Sequence, residues 1–135
     1  MIFLDTNILN YALLSQDIQK RKKALKILFR ALSGRDFAIS HQVLSECANV
    51  MFNKGNMEAK KVIQCIGYLQ HIGNIVPIDI QMVRRAIEIK FIYGLHFYDA
   101  QIVAAAERAD CTEIWSEDLA NGQIYCNIRC QNPFI

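Results

Sequence analysis

The sequence predicts an α/β fold, a three-layer sandwich in which a mainly parallel sheet of four or five strands is flanked by helices. Short apolar runs recur along the chain, and between them lie longer segments with apolar residues every three or four positions. Each of those segments is long enough to carry a right-handed crossover between parallel strands. With 135 residues, only two prolines (Pro77 and Pro133) and six glycines, the chain reads as a single domain spanning 1–135, without linkers, repeats or low-complexity stretches.

Ile2-Phe3-Leu4 is suited to a strand buried on both faces, and Asp5-Thr6-Asn7 supplies residues that start a helix. From Asp17 to Leu32 the pattern is helical, with Ala24, Leu25, Leu28 and Leu32 on one side and Gly34 as a stop. Phe37-Ala38-Ile39 forms the second strand. Ser40 caps a helix running to Asn53, and Met57 to Ile72 gives the next, closed by Gly73. Ile75-Val76, before Pro77, is the third strand. Ile80 to Tyr93 is helical up to Gly94, and Tyr98 to Ala109 is an alanine-rich helix. Glu113-Ile114-Trp115 is the fourth strand, and Ile124-Tyr125 supplies a fifth.

Composition narrows the class. A net charge of +2 does not mark a dedicated polyanion binder, although local patches can still meet phosphates. Five cysteines, none in a Cys-x-x-Cys pair with matching histidines, read as reduced core residues rather than a zinc site. Asp5 interrupts the first apolar run, so no secretory leader is expected, and no apolar segment approaches the roughly 20 residues needed to cross a bilayer. A soluble, cytoplasmic protein with no membrane partner is the expectation.

Four acids stand out: Asp5 after the first strand, Glu46 on the third helix, Asp99 at the start of the alanine-rich helix, and Asp118 after the fourth strand. In open parallel sheets ligands collect beyond the carboxyl ends of the strands, and the predicted topology brings all four toward that rim. Each has an ordinary alternative. Asp5 can be a helix cap contributing about 1 kcal/mol, although Thr6 and Asn7 are equally able to cap and would leave its carboxylate available. Glu46 lies at the edge of the face formed by Val43, Cys47, Val50 and Met51, on a flank with Gln42, Asn49 and Asn53 that can orient a carboxylate or simply border solvent. Asp99 shares the apolar side of its helix with Ile102, Val103 and Ala106, or serves the helix dipole. Asp118 can be a turn residue, and Glu117 competes with it.

Three or four carboxylates gathered at about 4 Å repel by roughly 4 kcal/mol per pair at an effective dielectric near 20, so a cation is needed to hold them together. Oxygen-only ligation suits Mg²⁺, with Mn²⁺ able to substitute. Zinc would want more than the scattered His41, His71 and His96.

Taken together, Leu4-Asp5-Thr6-Asn7, Ser45-Glu46, Tyr98-Asp99-Ala100 and Ser116-Glu117-Asp118-Leu119, in this order and spacing, resemble the PIN-domain nucleases, specifically the VapC-type toxins of bacterial toxin-antitoxin pairs. The resemblance spans nearly the whole chain. It implies a PIN-like sandwich in which Asp5, Glu46, Asp99 and Asp118 bind the divalent metal and carry catalysis, with Thr6 and Asn7 as supporting groups. Whether Asp118 or Glu117 is the fourth acid stays open. The implied activity is Mg²⁺-dependent RNA phosphodiester hydrolysis leaving a 5′-phosphate and a 3′-hydroxyl. The implied partners are an RNA substrate, a cognate antitoxin that occludes the acidic site, and a second copy of the chain in a homodimer. Two other readings compete: a catalytically silent RNA- or protein-binding module whose acids cap helices and dock an arginine, and a DNA 5′-nuclease, for which the chain is short. Lys20, Arg21, Lys22, Lys23, Lys26 and Arg30 form the densest basic cluster, either an RNA contact or the solvated face of their helix.

Overall fold

Alternation of short apolar runs with amphipathic segments produces, in the computed structural model describing residues 1–34 and 36–135, six helices and six strands. In chain order these are β1 (Ile2–Leu4), α1 (Thr6–Leu14), α2 (Ile18–Gly34), β2 (Phe37–Ser40), α3 (His41–Asn53) and α4 (Ala59–Ile72). There follow β3 (Asn74–Val76), α5 (Ile80–Tyr93), α6 (Phe97–Arg108), β4 (Glu113–Trp115), β5 (Ile124–Tyr125) and β6 (Ile128–Gln131). One sheet takes all six strands in the order β3-β2-β1-β4-β6-β5, parallel throughout except for the β5–β6 pair.

Local chemistry sets the boundaries. Ser40 Oγ accepts the Val43 N–H at 3.3 Å and starts α3, and Asp79 Oδ1 accepts the Met82 N–H at 2.9 Å and starts α5. Gly94, at φ 70°, closes α5 in the left-handed conformation that glycine adopts without strain. All four residues of β2 are buried, as are Phe3 and Leu4 of β1, which requires packing on both faces of the sheet and explains why these strands show no polar alternation. Phe3, Leu4, Phe37, Ile39, Ile89, Ile102 and Ile114 are the bulk of the interior. No helix is long and apolar enough to cross a membrane among the described residues. All five cysteines are free; Cys47, Cys111 and Cys130 are buried.

The sheet has one strand more than the sequence suggests. β6 was hidden because the two residues that reverse the chain from β5, Cys126 at φ 50° and Asn127 at φ 64°, are not the Asn-Gly or Asp-Gly pair that announces such a hairpin. Smaller differences fall at helix ends: α4 starts at Ala59 rather than Met57, and α6 at Phe97 rather than Tyr98.

Candidate active site

Parallel pairing of β1 with β4 fixes the site. Leu4 registers with Trp115, and the Asp5 N–H donates to the Trp115 carbonyl at 3.1 Å, so both chains leave the sheet at the same edge. Asp5 begins α1 and is only 6% exposed. Its Oδ1 accepts the Thr6 N–H at 2.7 Å and its Oδ2 accepts the Ser116 hydroxyl at 2.7 Å. Of the three residues able to cap α1, Asp5 takes the task, because Thr6 and Asn7 are committed elsewhere. Thr6 Oγ1 donates to Glu46 Oε2 at 2.5 Å. Asn7 binds the loop after β4, donating to Ser116 Oγ and Asp118 Oδ2 at 3.3 Å each and accepting the Glu117 N–H at 3.2 Å.

Glu46 is exposed on the first half of α3, above the buried Val43, Cys47 and Met51. Gln42 Nε2 donates to its Oε1 at 3.1 Å, and the Gln42 oxygen accepts from Gln101 Nε2 at 2.8 Å. The start of α3 is thereby tied to α6, where Asp99 lies half-buried in the first turn. Asn49 and Asn53, on the same flank as Glu46, bond to each other instead, at 3.1 Å. Gln101 was missed in the sequence. Its signal is that of a lone amide inside the otherwise apolar run Ala100 to Ala106, a burial tolerated only with a partner.

These carboxyls share one electrostatic field. Burial pushes Asp5 up to about 6, against the Ser116 and Thr6 hydrogen bonds that favour its anion, and the charges of Asp118 and Glu46 add to the rise. Asp99 is also raised, by burial first and then by Asp118, with His96 opposing and Glu46 contributing. Asp118 and Glu46 therefore act on both of the others. Glu117 points into different company: burial alone would raise its carboxyl, but Lys20, at 2.5 Å, and the Tyr11 hydroxyl more than offset that and hold it low.

The donor chemistry is all oxygen. Burial, with Glu46 and Asp5 nearby, pushes the Cys47 thiol up to about 12, so it stays protonated and is no thiolate ligand. His41, His71 and His96 are all exposed. Among the described residues no group of three or more His, Cys, Asp or Glu is arranged so as to hold a metal ion by itself. The four acids therefore share a field without forming a ready set of three ligands, short of the close cluster that the sequence suggests.

The sequence model of the PIN domain matches residues 2–120. No curated relative matches the chain. Among solved structures the fold is similar to a toxin-antitoxin complex from Klebsiella pneumoniae, at 21% identity and TM-score 0.72, covering 98% of each chain. It is also similar to VapC20 of Mycobacterium tuberculosis, described as a sarcin-ricin loop cleaving toxin, at 14% identity and TM-score 0.70, covering 96% of this chain and 99% of that one. A third, VapBC2 from Rickettsia felis bound to a DNA fragment from their promoter, has 17% identity and TM-score 0.67, with 98% of each chain covered. A match over residues 2–120, together with a mainly parallel sheet in the order β3-β2-β1-β4-β6-β5, leaves one assignment: the chain belongs to the PIN domain family.

Proposed function

We propose that the chain is an endoribonuclease, the toxin of a VapBC-type pair, hydrolysing RNA phosphodiester bonds with Mg²⁺, for which Mn²⁺ substitutes. The observation that carries the reading is the shared field of four carboxyls from four separate segments, in which Asp118 and Glu46 each disfavour ionisation of both Asp5 and Asp99. A fold that keeps such a cluster, with Thr6, Asn7, Gln42 and Ser116 spent on orienting it, is suited to a cation and a phosphate. A bound divalent ion would supply Lewis acidity at the scissile phosphate and lower the pKa of a water.

Asp5, Asp99 and Asp118 are the proposed ligands, and Glu46, steadied by Thr6 and Gln42, orients the attacking water. Water adds to phosphorus and the 3′-oxygen leaves, giving a 5′-phosphate and a 3′-hydroxyl. Glu117, engaged with Lys20 and Tyr11, is left out of the ligand set. The partner toxins and complexes among the structural neighbours support a cognate antitoxin as partner. A homodimer is supported by α5, where Ile80, Ile87 and Phe91 are exposed at spacings that put them on one side of the helix. The cytoplasm, where RNA is met, is the proposed site of action.

The test is cleavage of RNA in Mg²⁺. Asp5→Asn and Asp99→Asn each lower turnover at least about 100-fold with an unchanged circular dichroism spectrum. Unchanged turnover in either variant removes the assignment, and failure of Mn²⁺ to bind at millimolar concentration in calorimetry would favour a silent binding module.

A further inference from the structure

Helix α2 carries Lys20, Arg21, Lys22, Lys23, Lys26 and Arg30 and no acidic residue at all. Lys20 is taken by Glu117. The other five are exposed, and among the described residues none of them forms a salt bridge. Like charges on neighbouring turns oppose helix formation, so α2 bears a repulsion that an anionic partner would relieve.

The cations are also arranged. Lys23, Lys26, Ile27 and Arg30 stand at helical spacings of three, four and seven and share one face. That face is one wall of a cleft of about 330 Å³, and Trp115 and Pro133 are the other. The Trp115 indole N–H donates to Glu113 Oε2 at 2.6 Å, which holds the ring in place. The cleft adjoins the acidic site: the Trp115 carbonyl accepts the Asp5 N–H, and Asp118 follows three residues later, within about 11 Å along the chain.

We propose that this cleft binds one nucleotide of a single-stranded nucleic acid, the base against Trp115, Ile27 and Pro133 and the flanking phosphates on Lys23, Lys26 and Arg30. The choice of occupant rests on the nuclease reading. Charge complementarity and an aromatic wall together select it, because a single strand offers phosphates and unstacked bases at once. A duplex keeps its bases stacked, and an acidic peptide matches the cations but gives the indole no flat partner.

Trp115 is the chain's single tryptophan, so its emission reports this cleft alone. The experiment titrates a mixed-sequence 12-nucleotide single-stranded RNA into the wild-type protein in EDTA, where cleavage does not intervene. Emission is quenched to saturation. Three phosphate contacts contribute a slope of about −2 in log affinity against log salt, so binding weakens about 18-fold from 50 to 200 mM. The Lys23→Ala/Lys26→Ala/Arg30→Ala variant, altered only at exposed positions, loses that part of the slope and binds at least about tenfold more weakly, whereas Lys60→Ala on α4 leaves binding unchanged.

No quenching, or quenching that the three alanines do not weaken, overturns the proposal. Tighter binding of polyglutamate than of RNA, lost in the triple variant, overturns it in favour of an acidic protein segment. Cleavage of RNA in Mg²⁺ without quenching keeps the nuclease and discards the cleft; quenching without cleavage keeps the cleft and discards the nuclease.

Discussion

Asp5 is held where its charge is least comfortable. With burial lifting its folded-state value to about 6 from an ordinary 3.8, the folded protein holds this proton more tightly than the unfolded chain does. Stability is therefore greatest below the unfolded value and declines as pH rises through about 6, by a total on the order of 3 kcal/mol. Asp5→Asn escapes this penalty: its amide oxygen can still accept the Thr6 N–H, and the one hydrogen bond given up, from Ser116 Oγ, costs less than the buried charge. In metal-free buffer at pH 7.5 its Tm rises by roughly 3–10 °C over wild type, and the difference vanishes at pH 4. A variant that melts at or below wild type at pH 7.5 would show that Asp5 is mainly a structural cap. The position of this acid after a strand was legible in the sequence. Its double use, as cap and as anion facing Glu46 and Asp118, was not, because the competing tasks of Thr6 and Asn7 involve partners 40 and 111 residues away.

At the scale of elements, α5 and α6 form the most extensive helix pair and are fastened by two arginine forks. Arg85 donates from Nε and Nη2 to both oxygens of Glu107, each at 2.9 Å, and Arg108 donates from Nη1 and Nη2 to both oxygens of Asp79 at 2.8 and 2.9 Å. Since α6 carries Asp99, these forks help fix the height at which that carboxyl meets the others. Arg85 holds Glu107 below its ordinary value and Arg108 does so for Asp79. For such depressed carboxyls the stabilisation is present above the unfolded value, near 4.5 for Glu107, and is lost as pH falls through the lower folded value. Glu107→Gln lowers stability by about 1 kcal/mol at neutral pH, discounted for its partial exposure, and the gap closes as acid protonates Glu107; urea melts at neutral and acid pH measure it. Helix type and extent were readable from periodicity, and α5 coincides with its expected bounds. The forks were not, since their partners lie 22 and 29 residues apart and nothing in either helix alone selects them.

For the whole molecule, the decisive fact is that β1 lies between β2 and β4 with every neighbour parallel. That order sends the ends of β1 and β4 and the starts of α3 and α6 to one edge, and the four acids proposed as the site, Asp5, Glu46, Asp99 and Asp118, lie on those segments. A cation that binds there stabilises the folded chain by mass action: Mn²⁺ at 100 times its dissociation constant adds about 2.7 kcal/mol. Wild type accordingly melts several degrees higher in Mn²⁺, while Asp118→Asn shows at most a small rise; equal shifts in both proteins would place the ion elsewhere. Gln42 beside Glu46 was legible as a residue able to orient a carboxylate, whereas the sixth strand and the parts of Gln101 and Ser116 were not, because their meaning depends on which segments become neighbours.

The central place of β1 also has a consequence in time. Asp5 and Ser116 are 111 residues apart, so the contact that seats the first acid cannot form until Ser116 has left the ribosome. At ordinary synthesis rates that delay is about 10 s, and closing so long a loop against its entropy comes after the local helices have formed. A growing chain thus carries Asp5 well before the contact that seats it can form. If the proposed activity holds, the message and the ribosome would be spared until the segment holding Ser116 has emerged.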